Sequence, residues 1–169
     1  MKVLKSIYLI GFMGSGKTTV ASILAKRLGL SVQDTDQMVE DYYHLPIGKI
    51  FADHGEEVFR NYEHQMLSIT NQQNTVIATG GGIIESKANL SWLSDKEVVY
   101  LKTSWHEIVR RLKFDNNRPI WNDHSRDKKA LLARRESKYE QASKYIIHTD
   151  NKHADEIAEE MIRLIRIDD

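Results

Sequence analysis

Residues 11–18 read Gly-Phe-Met-Gly-Ser-Gly-Lys-Thr, which is the spacing GxxxxGK[ST]. Glycines let such a backbone curl until successive N–H groups face one anion, and a helix starting at the lysine aims its positive end at the same point. Lys17 would then reach the β- and γ-phosphates of a nucleotide, while the Thr18 hydroxyl ligates Mg2+. A dinucleotide-binding turn is excluded by spacing: GxGxxG counted from Gly14 needs glycine at 19, where the chain has Thr19.

Binding a phosphate does not say what is done with it. Many P-loop proteins hold the metal with an acid at a strand end, but the apolar runs at 75–79 and 98–101 lead into glycines and Lys102. The run SVQDTD supplies acids instead, with Asp34 placed for a metal's water shell and Asp36 for an acceptor hydroxyl. Either could equally be a solvated turn residue, and Asp36 could cap the segment QMVEDYY. Gly80-Gly81-Gly82 follows the run TVIAT. Each glycine costs about 1 kcal/mol of backbone entropy relative to alanine, so three together mark a place where side chains would obstruct something and free N–H groups could bind.

These groups need a frame that brings them to one end. Short apolar runs at 6–10, 31–34, 75–79, 98–101 and 145–148 read as strands, with helical patterns between them. Those patterns cover 17–28, 35–43, 47–55 leading into 56–71, 86–93, 104–114, 126–144 and 153–166. Ile- and Val-rich strands separated by helical crossovers predict a five-stranded parallel sheet covered on both faces. The result is a doubly wound α/β fold whose ligands sit at the carboxyl ends of the strands.

With 169 residues, 41% hydrophobic and 28% charged, the chain suits one domain. Zero formal charge provides no general attraction to nucleic acid or anionic membrane. There is no cysteine for disulfides or thiolate zinc, and the His106-Glu107 pair lacks a second histidine at 110, where Arg110 stands. The N-terminal apolar stretch is too short for a secretory core, and no run reaches the ~20 residues of a membrane span, so a cytoplasmic protein is expected. Residues 113–127, polar and between two helices, read as a lid.

The stretches IGFMGSGKTTV, DTDQMVE, IGKIFADHGEEVFRNYE, VIATGGGII, NNRPIW and RRESKY together resemble shikimate kinase over nearly the whole chain. The P-loop is shared by many kinases; the DTD, FR, GGG and RP elements in this order are specific. The resemblance implies a monomeric P-loop protein of the nucleoside-monophosphate-kinase type that transfers the γ-phosphate of ATP to the 3-hydroxyl of shikimate. It further implies ATP contacts at Gly14, Ser15, Gly16, Lys17, Thr18 and Thr19, with Mg2+ held by Thr18 and, through water, Asp34. Asp36 matches the aspartate on the accepting hydroxyl, and Arg118 the lid arginine at the transferring phosphate. Arg60 and Arg135 match the substrate-carboxylate arginines, and Gly81 and Gly82 the backbone contacts to substrate. Arg111 falls where a guanidinium packs on adenine, with Lys152 near a second adenine contact. The helical region at about 35–62 is the implied substrate-binding part.

Departures from the family pattern are Ser137 for a common proline, Trp121 for leucine, Lys152 for arginine and Ser15 for alanine. Phe51 and Phe59, at helical spacing, read as core. Two rival functions fit the P-loop: another small-acceptor kinase such as a gluconate kinase, and a non-catalytic nucleotide-binding module. The first lacks the combined motif set, and the second should have lost some of Asp34, Asp36, Arg60, Arg118 and Arg135.

Overall fold

The computed structural model describes residues 3–113, 121 and 127–165. Its five strands are β1 (Ile7–Ile10), β2 (Ser31–Asp34), β3 (Thr75–Ala78), β4 (Glu97–Lys102) and β5 (Tyr145–His148), all parallel, in the order β2-β3-β1-β4-β5. The helices are α1 (Lys17–Leu28), α2 (Thr35–Tyr43), α3 (Ile47–Ser68), α4 (Lys87–Leu93), α5 (Trp105–Leu112), α6 (Lys128–Ala142) and α7 (Ala154–Ile165). This is the expected α/β architecture.

Alternation along the strands builds a core on each face. Tyr8 and Ile10 of β1 share one cluster with Ile77, Val98 and Tyr100, closed by Leu93, Ile108, Leu132 and Tyr139 from α4, α5 and α6. Ile7 and Leu9 point the other way, with Val76, Val99 and Leu101, under Val20, Leu24, Ile157 and Met161 of α1 and α7. Two-sided burial holds for β1, β3 and the middle of β4, but not at the sheet edges. Val32 on β2 and Ile146 on β5 remain exposed, because each edge strand has a neighbour on one side only. Among the described residues no helix is long and apolar enough to cross a membrane.

A third cluster joins Val39 of α2 to Ile50, Phe59 and Met66 of α3, with Phe51 packed on Phe59, as the helical spacing of the two phenylalanines predicts. α3 is two helical stretches joined at a kink: Gly55, at φ 83° and ψ 171°, breaks the helical backbone where the sequence placed the boundary between 47–55 and 56–71, in a conformation that larger side chains rarely adopt. β1 is the centre of the sheet, with β3 and β4 on opposite sides, so the chain order reverses around it. Such a reversal opens a crevice beyond the carboxyl ends of the strands, where the loops carrying the sequence motifs converge.

Candidate active site

The loop from Gly11 to Gly16 leaves β1 and delivers the chain into α1. Gly16 caps that helix at φ 92°, and a Cβ on Gly11 would lie 2.7 Å from the Leu101 carbonyl oxygen. The loop is therefore glycine-bound for two reasons, a left-handed turn at one end and close backbone approach at the other. Lys17 is buried, and its ammonium donates to the carbonyls of Gly11 (2.6 Å) and Phe12 (3.1 Å). A cation is thus held across the cradle at the positive end of α1.

Asp34 ends β2 and caps α2. Its Oδ1 accepts from the backbone N–H groups of Asp36 (2.9 Å) and Gln37 (3.2 Å), and its Oδ2 accepts from the Thr18 hydroxyl at 3.1 Å. The cap is therefore Asp34 and not Asp36, because an N-cap carboxylate must sit two or three residues before the N–H groups it serves. The Thr18–Asp34 pair supplies hard oxygen donors beside the cradle. Mg2+ keeps much of its water shell and takes few protein oxygens, so the donor set fits it. Among the described residues no group of three or more histidine, cysteine or carboxylate side chains could hold a metal unaided.

With Asp34 occupied by the cap, Asp36 turns inward. Burial, then the nearby Glu63 and Asp34 carboxylates, push its carboxyl up to about 7, against the pull of Lys17 and Arg60. Glu63, fully buried on α3, is raised as well, by burial, with Arg60 and Arg135 opposing. Both acids crowd Gly80: a Cβ there would lie 2.5 Å from Glu63 Oε2 and 2.7 Å from Asp36 Oδ1. The triplet has a steric cause at each member. A Cβ at Gly81 would press on the Met13 nitrogen at 3.2 Å, and one at Gly82 would enter the guanidinium of Arg60. Gly80 departs from the expectation of free N–H groups, since its N–H donates to Thr35 Oγ1 at 3.1 Å.

Arg60 lies between Glu63 (3.0 Å) and Glu56 (3.2 Å) along its own helix, which fixes the guanidinium beside Gly82. Arg135 projects from α6 and is 1% exposed, with its Nε 3.7 Å from Glu85 and its guanidinium carbon 5.9 Å from the Phe12 ring centre. Nε and Nη1 of Arg135, and Nε of Arg60, have no hydrogen-bond partner among the described residues. Buried guanidinium N–H groups in that condition suit a carboxylate, whose two oxygens match the fork. One turn beyond Arg135, Tyr139 donates its hydroxyl to the Gly81 carbonyl and pins the triplet from above.

On the other side of the cradle, Arg111 of α5 donates to the Gly14 carbonyl (3.1 Å) and to the Thr149 carbonyl (3.2 Å). Lys152 belongs to the same loop as Thr149, but its ammonium pairs with Glu160 of α7 at 2.7 Å. Arg118 and most of the proposed lid at 113–127 lie outside the described residues. One end of the sheet thus gathers Lys17, Thr18, Asp34, Asp36, Arg60, Gly81, Gly82, Arg111 and Arg135. Sequence reasoning missed Glu63, Glu107, Tyr139 and Thr149. Local signals existed in the spacings Arg60–Glu63, Glu107–Arg110–Arg111 and Arg135–Tyr139, which place each set on one helix face, while Thr149 had none.

A phosphate cradle, an inward-facing acid and two arginines with unpartnered buried N–H groups suit a kinase for a small acid. The family model described as shikimate kinase matches residues 13–166. The chain belongs to the shikimate kinase family. Among curated relatives, a shikimate kinase of Bacillus mycoides is 41% identical over 162 residues, covering 94% of this chain and 96% of its own. One from Moorella thermoacetica is 43% identical over 159 residues, covering 92% and 91%. Of the solved structures, a shikimate kinase from Acinetobacter baumannii in complex with shikimate superposes with a TM-score of 0.91 at 36% identity, covering 98% of this chain and 94% of that one.

Proposed function

We propose that this chain transfers the γ-phosphate of ATP to the 3-hydroxyl of shikimate, giving shikimate 3-phosphate and ADP. The observation that carries the reading is the convergence of Lys17, Asp36 and the buried Arg135 at one crevice. Gly14 to Thr19 would cradle the phosphates, and Lys17 would neutralise charge on the transferring group together with Arg118. Thr18 and, through water, Asp34 would hold Mg2+, which when bound supplies further charge neutralisation on the phosphates. Arg111, and the loop carrying Lys152, would form the adenine side.

Arg60 and Arg135 would grip the substrate carboxylate, with the amides of Gly81 and Gly82 beside the ring. That grip sets the 3-hydroxyl against Asp36. A carboxyl near 7 is suited to take the hydroxyl proton as the bond to phosphorus forms, because it is substantially ionised yet basic at neutral pH. Phosphoryl transfer asks for positioning and charge rather than covalent help, and these residues supply both. Residues 35–62 would serve as the substrate-binding part of the single domain and 113–127 as a lid that excludes water. The enzyme would act as a monomer, as the family resemblance implies, and in the cytoplasm, as the sequence composition leads one to expect.

The test is a coupled assay following ADP, with ATP and either shikimate or gluconate, with and without Mg2+. Shikimate- and Mg2+-dependent turnover is expected. Turnover with gluconate alone would move the protein to a different acceptor, and turnover with neither would leave a nucleotide-binding module.

A further inference from the structure

The segment Ser104-Trp-His-Glu107 has the pattern of a capping box, in which the glutamate at the third helical position would fold back onto the N–H of Ser104. Only half of the box forms. The Ser104 hydroxyl accepts from the Glu107 N–H at 3.2 Å, but the Ser104 N–H donates to Asp150 Oδ1 at 2.9 Å. Asp150 comes from the loop after β5 and releases the Glu107 carboxylate from the capping task.

That carboxylate is buried and takes two arginines. Arg110 donates to it at 2.9 and 2.5 Å but is two-thirds exposed. Arg111 donates its Nε to Glu107 Oε1 at 2.9 Å with only 21% of its side chain exposed. Hydrogen bonds from the two arginines hold Glu107 down to about 2, so it carries its charge at any working pH. The rest of the Arg111 fork is committed as well. Nη1 donates to Gly14 O at 3.1 Å and to Thr149 Oγ1 at 3.4 Å, and Nη2 to Thr149 O at 3.2 Å. Thr149 is itself fixed, its hydroxyl 2.6 Å from that of Thr103 at the end of β4. Four of the five N–H directions of an arginine are then used in its own plane, and what the group still offers is its flat face.

We propose that Glu107 is a positioning residue for the nucleotide base. It holds Arg111 edge-on between the phosphate loop at Gly14 and the loop after β5 at Thr149, so that the guanidinium presents its face to a planar purine and the two loops are set at one fixed separation. This rests on the nucleotide-binding reading above and adds to it the group that orients the base side. A guanidinium without Glu107 keeps its charge but loses the anchor at Nε, and can swing out of the plane that stacking requires.

The test compares wild type, Glu107→Gln, Glu107→Asp and Arg110→Ala, with folding checked by thermal melting. Each is titrated calorimetrically with ADP and with inorganic tripolyphosphate, both with Mg2+, and assayed for KM of ATP and shikimate. Glu107→Gln is expected to weaken ADP roughly tenfold while tripolyphosphate, which has no base, changes less than twofold. ATP KM rises in step, with kcat and shikimate KM near wild type; Glu107→Asp falls between, and Arg110→Ala resembles wild type. Adding Arg111→Ala to Glu107→Gln should cost little beyond Arg111→Ala alone. Unchanged ADP affinity in both Glu107 variants overturns the inference while leaving the enzyme reading intact, and so does equal weakening of ADP and tripolyphosphate. Wild type that binds neither ligand overturns the nucleotide reading itself.

Discussion

Replacing Asp36 by asparagine should make the protein more stable and far less active. The side chain stays the same size, but the carboxyl that burial, Glu63 and Asp34 have pushed up to about 7 is gone. Below pH 4 that carboxyl is protonated in both folded and unfolded chains and contributes nothing. Between pH 4 and 7 the unfolded chain releases its proton while the folded one keeps it, so stability falls as pH rises, and above 7 the loss is complete. Moving an ordinary carboxylate to about 7 corresponds to ~4 kcal/mol; since Asp36 is only half-buried, about 2 to 4 kcal/mol is a fair range. For a chain of this size that becomes roughly 5 to 15 °C in Tm at pH 8, shrinking toward zero near pH 4. Thermal melts of both proteins across that range measure it. The wild-type kcat/KM for shikimate should fall on the acid side with an apparent pKa near 7, and Asp36→Asn should lower kcat by at least about a hundredfold. A stability gain that is absent, or equal at pH 4 and 8, would refute the argument, since Asp36 would then be an ordinary ionised surface acid.

Three other substitutions probe the rest of the crevice. Lys17→Ala should lower kcat about a thousandfold, ~4 kcal/mol of barrier, in the ADP-coupled assay; near-full activity would remove the lysine from the transferring phosphate. Arg135→Ala should raise shikimate KM by ten- to a hundredfold, from the loss of a charge-assisted pair, and ATP KM far less; the reverse order would place Arg135 on the nucleotide side. Gly82→Ala pushes a methyl into the Arg60 guanidinium from a backbone, φ −97°, that alanine adopts without strain. Shikimate KM should therefore rise about tenfold or more through displacement of Arg60 alone, and a variant with unchanged shikimate KM but poor stability would show that the glycine serves folding instead.

Local chemistry in the chain determined a great deal. The apolar runs IYLI and TVIA, the helical periodicity between strands and the spacing of Gly11, Gly16, Lys17 and Thr18 are properties of neighbouring residues, so they could be read without a partner. The motif order also indicated which acids and arginines to consider. Helix ends were less secure, because a cap is chosen by geometry: Asp34 and Asp36 are both acceptable in sequence, and only the turn after β2 decided that Asp34 caps and Asp36 faces inward.

What tertiary structure decided was the meeting of groups far apart in the chain. Arg135 of α6 is brought to Glu63 of α3, Gly80 and Gly82 are glycines because Asp36, Glu63 and Arg60 occupy the space where side chains would be, and Arg111 joins Gly14 to Thr149. None of these has a sequence period, since periodicity reports which face of an element is apolar and says nothing of which faces meet. The raised pKa of Asp36 is of the same kind. It comes from desolvation and neighbouring charge, two quantities that exist only once the sheet and its helices have closed around the carboxyl.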